Sequence, residues 1–218
     1  MEYIFLVPII LMSIIIHEVS HGYAAYLLGD DTAYRTGRLS FNPIKHIDKF
    51  GTIFLPLILL LVTRGGLAFG YAKPVPINPH NFKDFKKDTA LTAAAGPASN
   101  FIIAIIFSII FRFIMSRIDP YGAVSQTTIF FIRLIQTTIM INLLLGLFNL
   151  IPFPPLDGSK VLGAFLSDEL YFKYTAQERK GMMIFMTIML VSYVFKLNII
   201  GTIIFPPLKF IMKILTGI

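Results

Sequence analysis

Apolar residues run through this chain in long blocks separated by short polar stretches. The first block, residues 2–28, would be roughly 40 Å long as a helix, enough to cross a hydrocarbon core of about 30 Å with some tilt. It ends at Gly29-Asp30-Asp31. Residues 32–49 are polar and rich in turn signals, and Thr36-Gly37-Arg38-Leu39-Ser40-Phe41 within them reads as a strand. Residues 51–62 are apolar but interrupted by Pro56 and closed by Arg64-Gly65-Gly66. About twelve residues is short for a full span, so a re-entrant or broken segment is expected. The piece 70–79 holds three prolines and cannot be helical; it predicts an extended edge segment. Two clear spans follow, 89–115 and 127–150, joined by a loop poor in Lys and Arg. After a charged region, 160–180, come the apolar runs 181–195 and 199–215, the last carrying Pro206-Pro207. The pattern predicts an all-α polytopic membrane protein of about five to six membrane segments, with a short β or re-entrant element between the first and third apolar runs. Residues 1–218 are expected to form a single membrane domain with no soluble accessory domain and no internal repeat.

Composition supports this picture. Of 218 residues, 56% are hydrophobic and 14% charged, and the mean hydropathy is +0.74, too apolar for an ordinary soluble domain. The net charge of +7 is spread in small clusters between apolar runs, which argues for topology signals and against nucleic acid. Arg35, Arg38, Lys45 and Lys49 precede the short apolar piece and Lys73, Lys83, Lys86 and Lys87 follow it, so both flanks are expected on the cytoplasmic side. There is no cysteine, which leaves His and carboxylates as the available metal ligands and excludes disulfides and a thiol nucleophile. The N-terminal run lacks a basic leader region and a small-residue cleavage site, so it is not expected to be removed.

The candidate chemistry lies in the first span. His17-Glu18-Val19-Ser20-His21 places two imidazoles four residues apart on one helical face, about 5–6 Å from each other, where both can reach one tetrahedral zinc ion. Glu18 then lies beside the metal as a general base, the logic of the H-E-x-x-H metalloproteases. An accidental polar cluster is the competing reading, but each ionisable group in an apolar span costs on the order of 2.5 to 3.5 kcal/mol. A catalytic zinc needs a third protein ligand. Ala24 and Leu27 stand where a metzincin has Gly and His, and Glu169 and Glu178 lie in the charged region. Asp157 remains as candidate, in a segment where three prolines interrupt an apolar run, because irregular backbone at membrane depth must line a cavity or be buried in protein. Capping of a helix beginning near Ser159 is the alternative role for Asp157.

Three motifs together, His17-Glu18-Val19-Ser20-His21, Ala95-Gly96-Pro97-Ala98-Ser99-Asn100 and the stretch 149–158 ending Leu-Asp-Gly, resemble the site-2 protease family of intramembrane zinc metalloproteases. The pieces 41–48 and 70–79 are similar to its compact prokaryotic branch, without PDZ or CBS domain. The resemblance implies one catalytic Zn2+ held by His17, His21 and Asp157, with Glu18 as base. It also implies a single-pass membrane protein substrate, cut in or near the lipid bilayer during regulated intramembrane proteolysis. The expected location is a prokaryotic cell membrane, multi-pass, with the active site near the cytoplasmic side.

Asn100 and Asn149, at the ends of spans, could hydrogen-bond the substrate backbone or the developing oxyanion, or serve helix packing and capping. His46 could approach the site from a re-entrant loop, or be an ordinary interfacial histidine. The extended pieces near 36–41 and 71–77 could hold an unwound substrate as an added strand. The rival from another class is a membrane metal or ion transporter using His17, His21 and Asp157 as an ion site.

Overall fold

The computed structural model describes residues 2–65, 70–119 and 122–217. Nine α-helices are found among them: α1 (Glu2–Leu27), α2 (Thr32–Arg35), α3 (Leu55–Val62), α4 (Phe85–Met115), α5 (Gln126–Asn149), α6 (Asp157–Gly163), α7 (Asp168–Thr175), α8 (Glu178–Val194) and α9 (Ile199–Thr216). Four segments are long and apolar enough to cross a membrane: Phe5–Leu27, Phe85–Met115, Gln126–Asn149 and Ile199–Thr216.

The bundle is apolar outside and holds its polar side chains within, beside an apolar core, as expected where lipid is the solvent. On α4, Ile102, Ile105, Ile109 and Phe113 are exposed, while Asn100 and Ser108 on the same helix are buried. Ala104 and Phe111 of α4 pack with Ile139 and Leu143 of α5 and Leu208 of α9 to form a closed core. Small residues set the helix spacing: a Cβ at Gly146 of α5 would come within 3.1 Å of the Phe101 ring on α4. At the far end, Arg112 of α4 donates from Nε to the Leu215 carbonyl at 2.7 Å, capping the C-terminus of α9.

The piece read as a strand, Thr36-Gly37-Arg38-Leu39-Ser40-Phe41, is not one. Thr36 closes α2, Gly37 has φ of 64°, and no strand occurs among the described residues. The chain turns here because the Gly37 and Arg38 amides bond back to Tyr34 and Ala33 carbonyls.

The short apolar piece forms a π-helical stretch, Lys49–Phe54, running into α3, and Asp48 caps it by accepting from the Phe50 and Gly51 amides. The chain then comes back to its starting point, since the Tyr71 amide donates to the Gly51 carbonyl at 3.0 Å and the Lys73 amide to that of His46 at 2.9 Å. Residues 70–78, here called the strap, carry no helix, as the prolines demand.

Candidate metal centre and active site

His17 and His21 stand on the buried face of α1, 6% and 7% exposed. Their Nε2 atoms are 3.0 Å apart. Asp157 Oδ2 lies 3.1 Å from one and 3.3 Å from the other. The far nitrogen of each ring is fixed. His21 Nδ1 donates to the Thr92 carbonyl at 2.7 Å. His17 Nδ1 lies 2.6 Å from Asn100 Oδ1. The orientation of that amide follows from its surroundings: Asn100 Nδ2 donates to the Ser13 carbonyl and to Asn142 Oδ1, and Asn142 Nδ2 donates to the Thr138 carbonyl. Backbone carbonyls only accept, so the Asn100 oxygen must face His17.

Both Nδ1 atoms therefore carry protons, and in the neutral imidazoles both Nε2 atoms present lone pairs to one another and to a carboxylate. Three lone-pair donors this close repel unless a cation lies among them. Ligands of a tetrahedral zinc at about 2.0–2.1 Å are separated by about 3.3 Å, so the observed spacing fits that ion. The donor set, two imidazoles and one carboxylate, also suits zinc.

Asp157 reaches α1 because α6 begins hard against the end of α5. A Cβ at Gly158 would lie 2.6 Å from the Ile151 carbonyl oxygen and closer still to that of Leu150, so only glycine fits after this aspartate. Asp157 is the first residue of α6 and its carboxylate faces the histidines, while Ser159 Oγ bonds the Leu156 carbonyl. Gly96 does the same for α4: a Cβ there would be 2.7 Å from His17 Cε1 and 2.5 Å from His21 Cε1.

A cavity of about 350 Å³ opens beside the three donors and includes Glu18, with Val75 and Ile77 of the strap on one wall, Thr92 and Ala93 of α4 on another, and Asn149. Glu18 Oε2 accepts the Val75 amide at 3.0 Å. Of the residues singled out in the sequence, His17, His21, Asp157 and Glu18 are thus brought together. Asn149 lines the cavity, its Nδ2 donating to the Leu145 carbonyl. Asn100 is fully buried behind His17 and does not line the cavity. His46 is also fully buried outside the lining, with Nε2 donating to the Ser40 carbonyl. The sequence reading missed Ser13 and Asn142, whose signal was a polar side chain inside an apolar span. It also missed the Thr92 carbonyl, which has no sequence signal.

The family model "Peptidase family M50" matches residues 5–129 and 115–194. The chain belongs to peptidase family M50, the site-2 protease family. It is 38% identical to "Putative zinc metalloprotease YwhC" of Bacillus subtilis over 84% of this chain and 79% of that one. To "Putative zinc metalloprotease Rip2" of Mycolicibacterium smegmatis it is 28% identical over 83% of this chain and 64% of the relative. To "Zinc metalloprotease MJ0392" of Methanocaldococcus jannaschii it is 28% identical over 77% of this chain, spanning 36% of that longer protein. No solved structure matches significantly. As an M50 peptidase the chain is an integral membrane zinc metalloprotease, and its His-His-Asp group is suited to the metal.

Proposed function

We propose that this M50 peptidase cleaves a single-pass membrane protein within or near the bilayer, using His17, His21 and Asp157 as zinc ligands and Glu18 as general base. The observation that carries this assignment is the convergence of His17 Nε2, His21 Nε2 and Asp157 Oδ2 in a cavity that also contains Glu18. When bound, zinc supplies a Lewis acid that acidifies a water and polarises the scissile carbonyl. Glu18 accepts the proton of the attacking water and returns it to the leaving amine. Asn100 orients His17 from behind, and Asn149, on the cavity wall, is the candidate donor to the substrate or its oxyanion. A helical substrate hides its carbonyls in its own hydrogen bonds, so it must unwind before it is cut. The strap offers an edge for it: among the described residues the Ile77 N–H and C=O bond to no protein atom.

In the membrane, residues 1–218 act as one domain with the site near the cytoplasmic side of a prokaryotic cell membrane. Supporting this are the basic residues on both flanks of the short apolar segment Lys49–Val62 and the hydrogen bond from the strap back to Gly51, as a re-entrant excursion of that segment requires. With α8 as a further membrane segment the count reaches five to six. No observation favours ion transport. The test is Glu18→Gln, reconstituted in liposomes with a single-span substrate: zinc should be retained and cleavage lost by at least 10³-fold, about 4 kcal/mol of transition-state stabilisation. Undiminished cleavage would overturn the base assignment.

A further inference from the structure

The geometry points to Asp30 and Arg38 as positioning residues that hold the Val75 amide against the catalytic base. This rests on Glu18 acting as that base. The sequence Pro74-Val75-Pro76 presents a single N–H, because neither proline has one. That one donor is spent on Glu18 Oε2 at 3.0 Å, which leaves the other carboxylate oxygen of this cavity-lining residue for proton transfer.

The strap is held on both sides of this contact. On the N-terminal side the Arg38 guanidinium, itself buried, donates to the Lys73 and Pro74 carbonyls at 2.8 and 3.2 Å. No ion pair with a carboxylate is found for Arg38 among the described residues. A buried cation without a carboxylate partner is costly, yet its charge is directed to these two carbonyls. On the C-terminal side Asp30, with no solvent exposure, accepts the Asn78 amide at 2.7 Å and Asn81 Nδ2 at 2.8 Å.

Asp30 is tied to the helix that carries the base, since its own amide donates to the Ala25 carbonyl at 2.9 Å. Gly22 completes the register. A Cβ on it would lie 2.6 Å from Val75 Cγ1, so the Val75 side chain rests directly on α1, one turn beyond Glu18. The base and the donor that orients it are therefore referenced to one helix, at Glu18 and Gly22 on it and through Asp30 just beyond its C-terminus. The carboxylate of a general base must be within hydrogen-bond reach of its proton in a defined orientation. In this site, two residues outside the cavity lining set that orientation through the backbone of a third.

The test has two readouts. Hydrogen exchange of the segment 74–78 monitors only the Val75, Ile77 and Asn78 amides, because the prolines contribute none. In Asp30→Asn and Arg38→Met, exchange of this segment is expected to quicken at least 10-fold, in zinc-free as well as zinc-loaded protein. Cleavage of a reconstituted single-span Leu/Ala helix with an Asn-Gly pair in its cytoplasmic third should lose about 10-fold in kcat, with zinc content unchanged and Arg38→Lys recovering part of it. Wild-type exchange in both variants, or zinc lost in parallel with cleavage, would overturn the proposal. If Asp30→Asn does not fold, Arg38→Met and its lysine counterpart decide. An inactive Glu18→Gln beside variants with wild-type kcat removes the positioning roles alone, whereas an active Glu18→Gln removes the base assignment on which they stand.

Discussion

Asn100 Oδ1 lies 2.6 Å from His17 Nδ1, joining the middle of α4 to α1 across 83 positions of sequence. The asparagine does not touch the cavity, yet it decides which nitrogen of His17 is free to bind metal. Its own orientation depends on Asn142, which in turn bonds Ser13 Oγ on α1 at 3.0 Å. The three polar groups close a ring between α1, α4 and α5 in the bundle interior, where polar side chains must satisfy one another.

Replacing Asn100 with alanine should weaken zinc binding by about 10- to 100-fold, the usual cost of losing an outer partner of a ligating histidine. Competition with a chromophoric chelator measures it. Asn142→Ala should weaken binding less, because Asn100 keeps its bonds to His17 and the Ser13 carbonyl. Equal zinc affinity in wild type and Asn100→Ala would mean that the Asn100 bond does not control the tautomer.

Gly96 makes a second prediction. A methyl group there would be driven into both imidazoles, which are held from behind by Asn100 and Thr92 and have no room to retreat. Gly96→Ala should therefore lose most of its zinc and with it cleavage, while the helix itself gains about 1 kcal/mol of propensity. Gly146→Ala is the control, since its added methyl meets the Phe101 ring at 3.1 Å, a side chain that can rotate. Metal analysis of the two purified variants separates them: zinc retained in Gly96→Ala would refute the steric account.

The difference between what was legible and what was not has a physical basis. His17 and His21 were readable because helical periodicity alone places them side by side, and ionisable residues in an apolar span are too costly to be idle. Asp157 was readable because prolines at membrane depth imply a cavity. The strand expected at 36–41 failed because local turn bonding at Gly37 and Arg38 overrides β propensity when no partner strand is present. Asn100 looked like a cavity residue from its position at the start of a span, and only the rotation of α4 turned it behind His17. The roles of Asp30 and Val75 depend on hydrogen bonds from backbone amides to carboxylates in segments more than forty residues away, and the identity of the amide-bearing residue does not encode them.

Asp30 carries the last prediction, in its pH dependence. Burial by itself would raise its pKa, but hydrogen bonds from the Thr32 hydroxyl, the Asn78 amide, Asn81 Nδ2 and the Thr32 amide outweigh it and hold the carboxyl below its ordinary value. A carboxyl depressed on folding adds stability at every pH above its unfolded value of about 3.9, and that contribution is lost as pH falls through the lower folded value. The Asp30→Asn variant has no charge to titrate at this position, and the NH2 group of its amide would oppose donors that now meet an acceptor. Hydrogen bonds to a charged group contribute about 1.5–3 kcal/mol, and about 2 kcal/mol corresponds to a fall of roughly 4–8 °C in Tm for a chain of this size. The Tm gap between wild type and Asp30→Asn should stay constant from pH 8 to pH 5, then narrow below about pH 4 as Asp30 of the wild type takes up its proton. Thermal unfolding in detergent across that range measures it. A gap that widens at low pH would mean that the folded-state pKa of Asp30 lies above its unfolded value, and that the strap is held better by the neutral acid than by the carboxylate.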